Sequence, residues 1–258
     1  MEYKDLLDSN ERYGMTNEDI IKREGLENIL ENVIITPWWG HEIFEKFADK
    51  IVKCTDRIYN VYKNDISFSF VELKNIGAPR ILDYVLSLGA TKCKNLIFIG
   101  SVGAIDGNID IGDIVIPEFS FCGVGTERYL NTNLEDNFET KNYPNNELTQ
   151  RILTCAKQYS NETQIHFLPN YSIDTILAQF PHINHIISLG AKTIEMETST
   201  VFKCAEITNI KATALLCVSD NTICKKSLYN GRTLHEKEKK DITKNRIIPQ
   251  IIIDLFCL

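Results

Sequence analysis

The chain carries at residues 96–104 the stretch LIFIGSVGA, in which four large apolar side chains are followed directly by five mostly small residues. An apolar run of this length is typical of a strand that is buried on both faces of a sheet. Small residues after such a strand let backbone N–H groups approach a ligand oxygen closely. The stretch therefore predicts a buried strand ending in a ligand-binding turn, and a plain strand-to-helix turn fits these residues equally well.

The rest of the chain alternates strand and helix signals around this stretch. Further buried strands are predicted at residues 32–37, 113–117 and 214–218. Apolar residues at helical spacing predict helices at residues 41–50, 77–89, 146–159 and 198–208. A hairpin is predicted over residues 57–72, and a C-terminal helix kinked near Pro249. The pattern predicts an α/β fold: a three-layer α/β/α sandwich with a mixed, mostly parallel central sheet, over residues 33–258 after a helical arm at 1–32.

Composition excludes several classes of protein. The 258 residues are 43% hydrophobic and carry a formal net charge of −7, so we expect no nucleic-acid partner and no anionic membrane partner. No apolar stretch reaches the roughly 18 residues that a membrane span needs, and the first residues lack the apolar core of a signal peptide. Eight cysteines without a CxxC pair indicate a reducing, cytoplasmic location. The spacing of His182 and His185 lacks acidic or cysteine partners, so no metal site is expected.

Two acidic motifs follow the predicted buried elements. Glu195-Met196-Glu197 directly precedes a predicted helix, whose dipole favours an ionised carboxylate that can accept hydrogen bonds from sugar hydroxyls. Ser219-Asp220 follows a predicted strand, where a pocket can raise the pKa of a carboxyl group and make it a general acid. Taken singly, each motif is better explained as a helix start or a turn. Ligands of parallel sheets bind at the carboxyl ends of the strands, where both motifs are expected.

Four motifs together resemble, in their order and spacing, those of the nucleoside phosphorylase superfamily. They are IGSVGA at 99–104, IGDIVIP at 111–117, EME at 195–197 and VSD at 218–220. That superfamily includes purine nucleoside phosphorylases, uridine phosphorylases and methylthioadenosine/adenosylhomocysteine nucleosidases. The resemblance runs from about residue 33 to about residue 235. It implies an enzyme that cleaves the bond between a ribose and its base, with residues 33–258 as the catalytic domain.

The resemblance implies roles for individual residues. Glu197 matches the glutamate that binds the ribose 2′- and 3′-hydroxyls, and Met196 matches the methionine that packs on the sugar. Asp220 matches the acid that protonates N7 of a departing purine, which favours a purine substrate. Arg232 lies near the position of an arginine that pairs with this acid in some members, although that match is loose.

Five further residues are expected to contact the substrate. Gly100 and Ser101 match positions that contact the acceptor or the sugar, and Gly103 belongs to the same glycine motif. Thr126 and Arg128 belong to GTERYL at 125–130, which is similar to a substrate-side loop in some branches of the superfamily.

The chain departs from the phosphorolytic members where these bind phosphate. Phosphate is a dianion that needs fixed cationic or N–H donors. The arginine expected before the glycine motif is replaced by Phe98, residues 37–42 contain no arginine, and a third arginine position is near Lys53. The phosphate site is therefore lost, or it is rebuilt with Arg128 or Lys225.

Hydrolytic members also lack these arginines and place a glutamate after the first strand to activate water. Glu42, or less favourably His41, lies at about that position, and Glu42 as an ordinary exposed residue is almost as consistent with the sequence. We expect a nucleosidase or phosphorylase without cofactor, with water slightly favoured over phosphate as acceptor, and with a homo-oligomeric state by analogy. The alternative is a non-catalytic nucleoside- or nucleotide-binding module on the same fold.

Overall fold

The structure is a computed structural model that describes residues 1–135 and 137–257. The strands of this described part are β1 Asn32–Thr36, β2 Lys50–Lys53, β3 Ile58–Lys63, β4 Ile66–Glu72, β5 Asn95–Ala104, β6 Ile114–Gly123, β7 Lys141–Asn142, β8 Ile165–Ile173, β9 Thr193–Glu195 and β10 Lys211–Asn221. The α-helices are α1 Tyr3–Arg12, α2 Asn17–Glu24, α3 Ala78–Leu88, α4 Asn146–Lys157, α5 Ile183–Ser188, α6 Thr198–Thr208, α7 Leu234–Ile242 and α8 Ile248–Cys257. The predicted α/β class is thus confirmed.

Strand β5 is the centre of the sheet. It pairs in parallel with β1 on one side and with β10 on the other, and it also pairs antiparallel with β9 beyond Val102. The order β10-β6-β8-β9-β5 closes on itself, because β10 pairs with both β6 and β5. The remaining strands β1, β4, β3 and β2 extend the sheet outward from this ring. The chain therefore builds a partly closed sheet, a feature that the expected three-layer α/β/α sandwich did not include.

The strand directions also differ from the expectation of a mostly parallel sheet. Among the described residues, five strand pairings are parallel and five are antiparallel. The ring contains two of the antiparallel pairings, β10–β6 and β5–β9, and β7 adds a third by pairing with β6 outside the ring. Apolar runs in the sequence do not reveal these pairings. Antiparallel pairing of β3 and β4 confirms the predicted hairpin.

Hydrophobic cores cover both faces of the sheet. Successive residues of a strand point to opposite faces, and β5 shows this directly: Leu96 and Phe98 pack in one core, Ile97 and Ile99 in the other. Helices α3 and α6 cover the first face, and α4 and α8 cover the second. The division into an arm at 1–32 and a domain at 33–258 remains a prediction, and the arm's Leu26 and Ile29 pack into the first core.

Two local predictions are wrong. The helix expected at residues 41–50 is a short 3₁₀ helix, His41–Phe44, because this single turn already buries Ile43 and Phe44 and the chain then enters edge strand β2. The turn expected at residues 100–104 is a continuation of β5, since Gly100 to Ala104 pair with Leu216 to Asn221 of β10. The small residues therefore do not end the strand, and they leave room beside it.

The C-terminal helix is interrupted as predicted, although earlier than Pro249. A π-helical segment, Thr243–Ile247, separates α7 from α8. Helix α7 is anchored to the sheet by Asp113, which is 1% exposed and accepts hydrogen bonds from Lys239 Nζ at 2.7 Å, His166 Nε2 at 2.8 Å and the Asp110 N–H at 3.0 Å. Burial alone raises the pKa of Asp113, but the hydrogen bonds from His166 and Lys239 lower it below its usual value.

Replacement of Asp113 by Ala is expected to lower the free energy of unfolding by roughly 3 kcal/mol, because it leaves buried donors without an acceptor. Urea unfolding measures the loss of stability. The control is Asp241→Asn, an exposed position on α7, which is expected to change the free energy of unfolding by less than about 0.5 kcal/mol. Because the folded-state pKa is lowered, the contribution of Asp113 is present above the carboxyl's ordinary pKa and is lost as the pH falls through the folded-state value. Equal stability of both variants at neutral pH would contradict this account.

Candidate active site

A cavity of about 350 Å³ opens where β1, β5, β9 and β10 end. Its polar lining residues are Ser101, Thr175, Gln179, Glu195, Glu197, Ser219 and Asp220. Its glycine and apolar lining residues are Pro37, Trp38, Trp39, Ile76, Gly100, Gly103, Ile173, Ile176, Ile194, Met196 and Leu228. The cavity thus brings together the glycine motif and both acidic motifs, which are up to 120 residues apart in the chain.

Glu195 is a structural carboxylate. Its Oε1 accepts hydrogen bonds from Asn170 Nδ2 at 2.7 Å and from Ser172 Oγ at 2.5 Å. Its Oε2 accepts from the backbone N–H groups of Glu197 and Thr198, both at 2.8 Å, at the start of α6. A carboxylate can accept about four hydrogen bonds, and protein donors already supply four to Glu195. Glu195 therefore fixes the beginning of α6 against β8.

Glu197, in contrast to Glu195, has few hydrogen-bond partners. It is 6% exposed, and its Oε1 accepts one hydrogen bond, from the Gly77 N–H at 2.6 Å. Burial and, to a smaller extent, the neighbouring Glu195 carboxylate raise the pKa of Glu197 to about 8, although the Gly77 hydrogen bond opposes the shift. A carboxyl group that lines a cavity with so few partners is available to bind hydroxyl groups of a ligand, as donor or as acceptor.

Paired substitutions separate these two roles. Glu195→Gln is expected to lower the free energy of unfolding by about 2 kcal/mol or more, because an amide cannot accept from all four donors. Glu197→Gln is expected to change stability by less than about 0.5 kcal/mol, because its one buried contact survives and the amide needs no charge. Chemical denaturation measures both. A larger loss for Glu197→Gln than for Glu195→Gln would reverse the assignment.

Asp220 lies at an irregularity of β10. The pairing with β5 shifts register between Val218 and Asp220, so Ser219 is the extra residue of a bulge, which re-aims the following side chain. Ser219 Oγ donates to Asp220 Oδ1 at 2.5 Å. Burial raises the pKa of Asp220, and the Ser219 hydrogen bond and the charge of Arg232 oppose this rise. Asp220 is therefore a cavity carboxyl group that keeps its proton to higher pH than an exposed aspartate.

A side chain at Gly103 would crowd the Asp220 carboxyl group. A Cβ atom at this position would lie 3.1 Å from Asp220 Oδ2 and 3.5 Å from the Ile194 side chain. Gly100, in contrast, has room for a side chain at ordinary contact distances. Ser101 between them is exposed although its strand neighbours are buried, so its hydroxyl is open to the cavity.

Arg232 lies close to Asp220 without forming an ion pair with it. Its Nη1 donates to the Ser219 carbonyl at 3.0 Å, and its Nη2 donates to the Leu228 carbonyl. Its Nε is buried and has no hydrogen-bond partner within the described part of the chain. Arg232 therefore ties the segment that carries Leu228 over the cavity to the strand that carries the acid.

Several residues predicted to act at the site lie outside the cavity lining. Glu42 has a side chain that is 64% exposed, next to His41. Thr126 and Arg128 belong to a 3₁₀ helix whose buried Glu127 accepts hydrogen bonds from Asn142 and from two residues of α6. This segment is held against α6 and does not reach the cavity. Phe98 is 1% exposed in the hydrophobic core.

The aromatic and aliphatic wall of the cavity was not predicted. Trp38 and Trp39 follow β1, Ile173 is the last residue of β8, and Ile176 follows that strand. The signal for Trp38 and Trp39 is their place after a buried strand, where a parallel sheet binds ligands. No comparable signal marks Leu228, which reaches the cavity through the turn that Arg232 closes.

All the ionisable side chains that line the cavity in the described chain are acidic. Its lining in the described chain contains the carboxyl groups of Glu195, Glu197 and Asp220 and no lysine, arginine or histidine. Lys53, at a position where phosphate-binding members carry a cation, pairs with Asp56 at 2.7 Å on the surface. The geometry thus offers hydrogen-bonding and acid groups to a neutral ligand, with aromatic surface for a planar ring.

Fold and cavity together define an α/β protein with an acidic small-molecule site at the strand ends. Residues 70–248 match the model of the phosphorylase superfamily, and the chain belongs to this superfamily of enzymes, as its motifs indicated. It is 27% identical over 167 residues to a DeoD-type purine nucleoside phosphorylase of Hahella chejuensis, an alignment that covers 64% of this chain and 66% of that protein.

Solved structures show the same fold. A uridine phosphorylase from Vibrio fischeri ES114, in complex with 6-hydroxy-1-naphthoic acid, superposes with a TM-score of 0.74 at 16% identity, over 89% of this chain and 92% of that one. A second structure of uridine phosphorylase from this organism gives a TM-score of 0.71 at 15% identity, over 89% and 93% of the two chains. Among the described residues, no helix combines the length and the apolar character that crossing a membrane requires.

Proposed function

We propose that the protein cleaves the N-glycosidic bond of a purine nucleoside and transfers the ribosyl group to water. The observation that carries this proposal is the presence of two carboxyl groups with raised pKa, the buried Glu197 and the partly buried Asp220, in one cavity with an aromatic wall. One group suits sugar hydroxyls and the other suits the nitrogen of a leaving base. The family and the DeoD-type relative support a nucleoside as the substrate.

Glu197 is assigned to the ribose. Ribosyl C–N cleavage passes through a cation-like sugar while negative charge develops on the base. Hydrogen bonds from the 2′- and 3′-hydroxyls to Glu197 orient the sugar, and a carboxylate there also stabilises positive charge on the ring. Because this interaction strengthens as the charge develops, it accelerates the chemical step and does more than bind substrate. Met196, next along the wall, packs against the sugar.

Asp220 is assigned to the base. A protonated carboxyl group donates to N7 of the purine as the bond breaks, which neutralises the departing base. Burial raises the pKa of Asp220, which favours its protonated form, and the Ser219 hydroxyl holds the carboxyl group in place at 2.5 Å. Arg232 is close enough to stabilise the carboxylate that remains after proton transfer. A positioned general acid contributes about 100- to 10,000-fold to the rate.

Water is proposed as the acceptor because the lining residues offer phosphate no cationic partner. Glu42 does not line the cavity, so its proposed role as base has no geometric support in this state of the chain. Ser101, whose hydroxyl is open to the cavity, is the group proposed to hold the attacking water. A cation-like sugar is a strong electrophile, so a held water adds to its C1′ with less activation than a neutral carbon would require. The water loses one proton to solvent in this step, and Asp220, which gave its proton to the base, is reprotonated from solvent after the products leave.

A nucleoside panel tests the proposed reaction. The purified protein is incubated with adenosine, guanosine, inosine, uridine and a 5′-methylthio nucleoside, with and without phosphate, and free base is measured. We expect purine release at equal rates in both conditions, with a reducing sugar as product. Release that rises in proportion to phosphate, with ribose 1-phosphate formed, would make the protein a phosphorylase. Binding of nucleoside without any release would support the non-catalytic alternative.

Replacement of Asp220 by Asn is expected to slow purine release by roughly 100-fold or more while sparing nitrophenyl riboside. The nitrophenolate leaving group needs no proton, so its release depends on the sugar contacts alone. Steady-state kcat on both substrates measures the difference, and Glu197→Ala is the matched control that is expected to lose both activities. Equal losses on both substrates for Asp220→Asn would show that it acts through structure.

The assembly state belongs to the same proposal. We infer a homo-oligomer, as the relation to the phosphorylase superfamily supports by analogy. Light scattering of the purified protein measures it, and its outcome does not bear on the assignments of Glu197 and Asp220.

A further inference from the structure

The turn after β1 holds a second group of chemically competent side chains, outside the cavity. His41, Glu42 and Glu72 each offer one ligand atom, and these three atoms lie within 4.8 Å of one another. His41 Nδ1 is 2.8 Å from Glu72 Oε1 and 3.8 Å from Glu42 Oε2. The sequence motifs led us to expect Glu42 near the acceptor site, but its side chain lies outside the cavity.

We propose that His41, Glu42 and Glu72 bind a divalent transition-metal ion of the zinc class. Imidazole nitrogen and carboxylate oxygen bind Zn²⁺ at about 2.0–2.2 Å, so two ligands of one tetrahedral ion lie about 3.4 Å apart. The pairs that are 2.8 and 3.8 Å apart each reach this spacing with a shift of roughly half an ångström. The imidazole ligand disfavours Mg²⁺ and Ca²⁺, which prefer oxygen. Three protein ligands leave open positions for water.

Gly40 leaves room for the Glu42 carboxylate next to His41. Although Glu42 is largely exposed, its carboxylate folds back over Gly40, where a Cβ atom would lie 2.0 Å from Oε2 and 2.3 Å from Oε1. Gly40 has an extended backbone, with φ −82° and ψ 158°, that any residue adopts. Glycine is therefore not needed there for the backbone, and its missing side chain is what admits the Glu42 carboxylate.

The other two ligands are held in place before any ion arrives. Glu72 is 8% exposed, ends β4 and accepts the His41 backbone N–H at 2.7 Å. The His41 ring stacks on Tyr59, with ring centroids 3.7 Å apart and planes 8° from parallel. Lys74 approaches only the second oxygen of Glu72, at 4.0 Å. Two carboxylates and a neutral imidazole sum to a charge of −2, which a divalent ion neutralises.

The site would connect the carboxyl ends of β1 and β4 behind the cavity wall. Pro37, Trp38 and Trp39, which line the cavity, lie between β1 and His41. A bound ion would therefore hold this wall segment against β4. This inference concerns ion binding alone and stands whether or not the proposed ribosyl chemistry is correct.

Binding is tested on the full chain after treatment with a chelator. Zn²⁺ titration by calorimetry is expected to show one site per chain, and Co²⁺ is expected to give visible absorption bands of a nitrogen- and oxygen-ligated ion. Mg²⁺ at the same concentration is expected to give neither signal nor competition. Absence of a one-to-one Zn²⁺ site, or equal binding of Mg²⁺, would overturn the proposal.

Variants locate the site. Gly40→Ala removes no ligand and strains no backbone, yet it displaces the Glu42 carboxylate, so it is expected to weaken Zn²⁺ binding roughly 10-fold or more. Glu42→Gln is expected to do the same, while Glu45→Gln, an exposed neighbour, leaves the affinity unchanged. Circular dichroism and thermal unfolding confirm that each variant is folded. Unchanged affinity in Gly40→Ala and Glu42→Gln, or loss of binding in His185→Ala at the surface pair His185–Glu139, would assign the ion elsewhere.

Discussion

The four hydrogen bonds to Glu195 are the interaction on which the site depends. They join the first turn of α6 to β8 through one buried carboxylate, with donors from Asn170, Ser172 and the backbone of residues 197 and 198. Because the Glu197 N–H is one of these donors, Glu195 fixes the backbone from which the Glu197 side chain projects. The two glutamates of the triplet therefore differ in their hydrogen bonding. Glu195 accepts four hydrogen bonds from the protein, whereas Glu197 accepts one and can bind a ligand.

Hydrogen-bond partners also distinguish the other buried or partly buried acids of the chain. Asp113 has cationic partners, and its pKa is lowered; Asp220 has a neutral hydroxyl partner, and its pKa is raised. Glu127 accepts hydrogen bonds from three side chains at 0% exposure and belongs to the frame. Burial is common to all of these groups, so partners, and not burial, separate a structural acid from a candidate functional one.

Sequence reasoning predicted the α/β class, the helix after Glu197 and the strand that carries Asp220, because apolar periodicity and helix-start residues are local signals. It did not predict that residues 100–104 continue β5, since pairing with β10 and β9 on both sides of one strand is a long-range property. For the same reason the closed ring and the equal share of antiparallel pairings were not visible. Glu42 shows the limit for sites: its place in the chain suggested the cavity, but the short 3₁₀ turn after Gly40 directs it to the surface.

The electrostatics of the cavity bear on the nature of the acceptor. Burial raises the pKa of two of its three acids, Glu197 and Asp220. The Glu195 carboxylate adds to the shift at Glu197, whereas Arg232 opposes the shift at Asp220. Desolvation and repulsion disfavour the charged form of these carboxyl groups, and they penalise any further negative charge in the cavity in the same way. Bringing a phosphate dianion there would require a cation to enter with it. Water carries no charge and meets no such penalty, so the burial that supports the proposed role of Asp220 as a proton donor also supports the proposal of a neutral nucleophile.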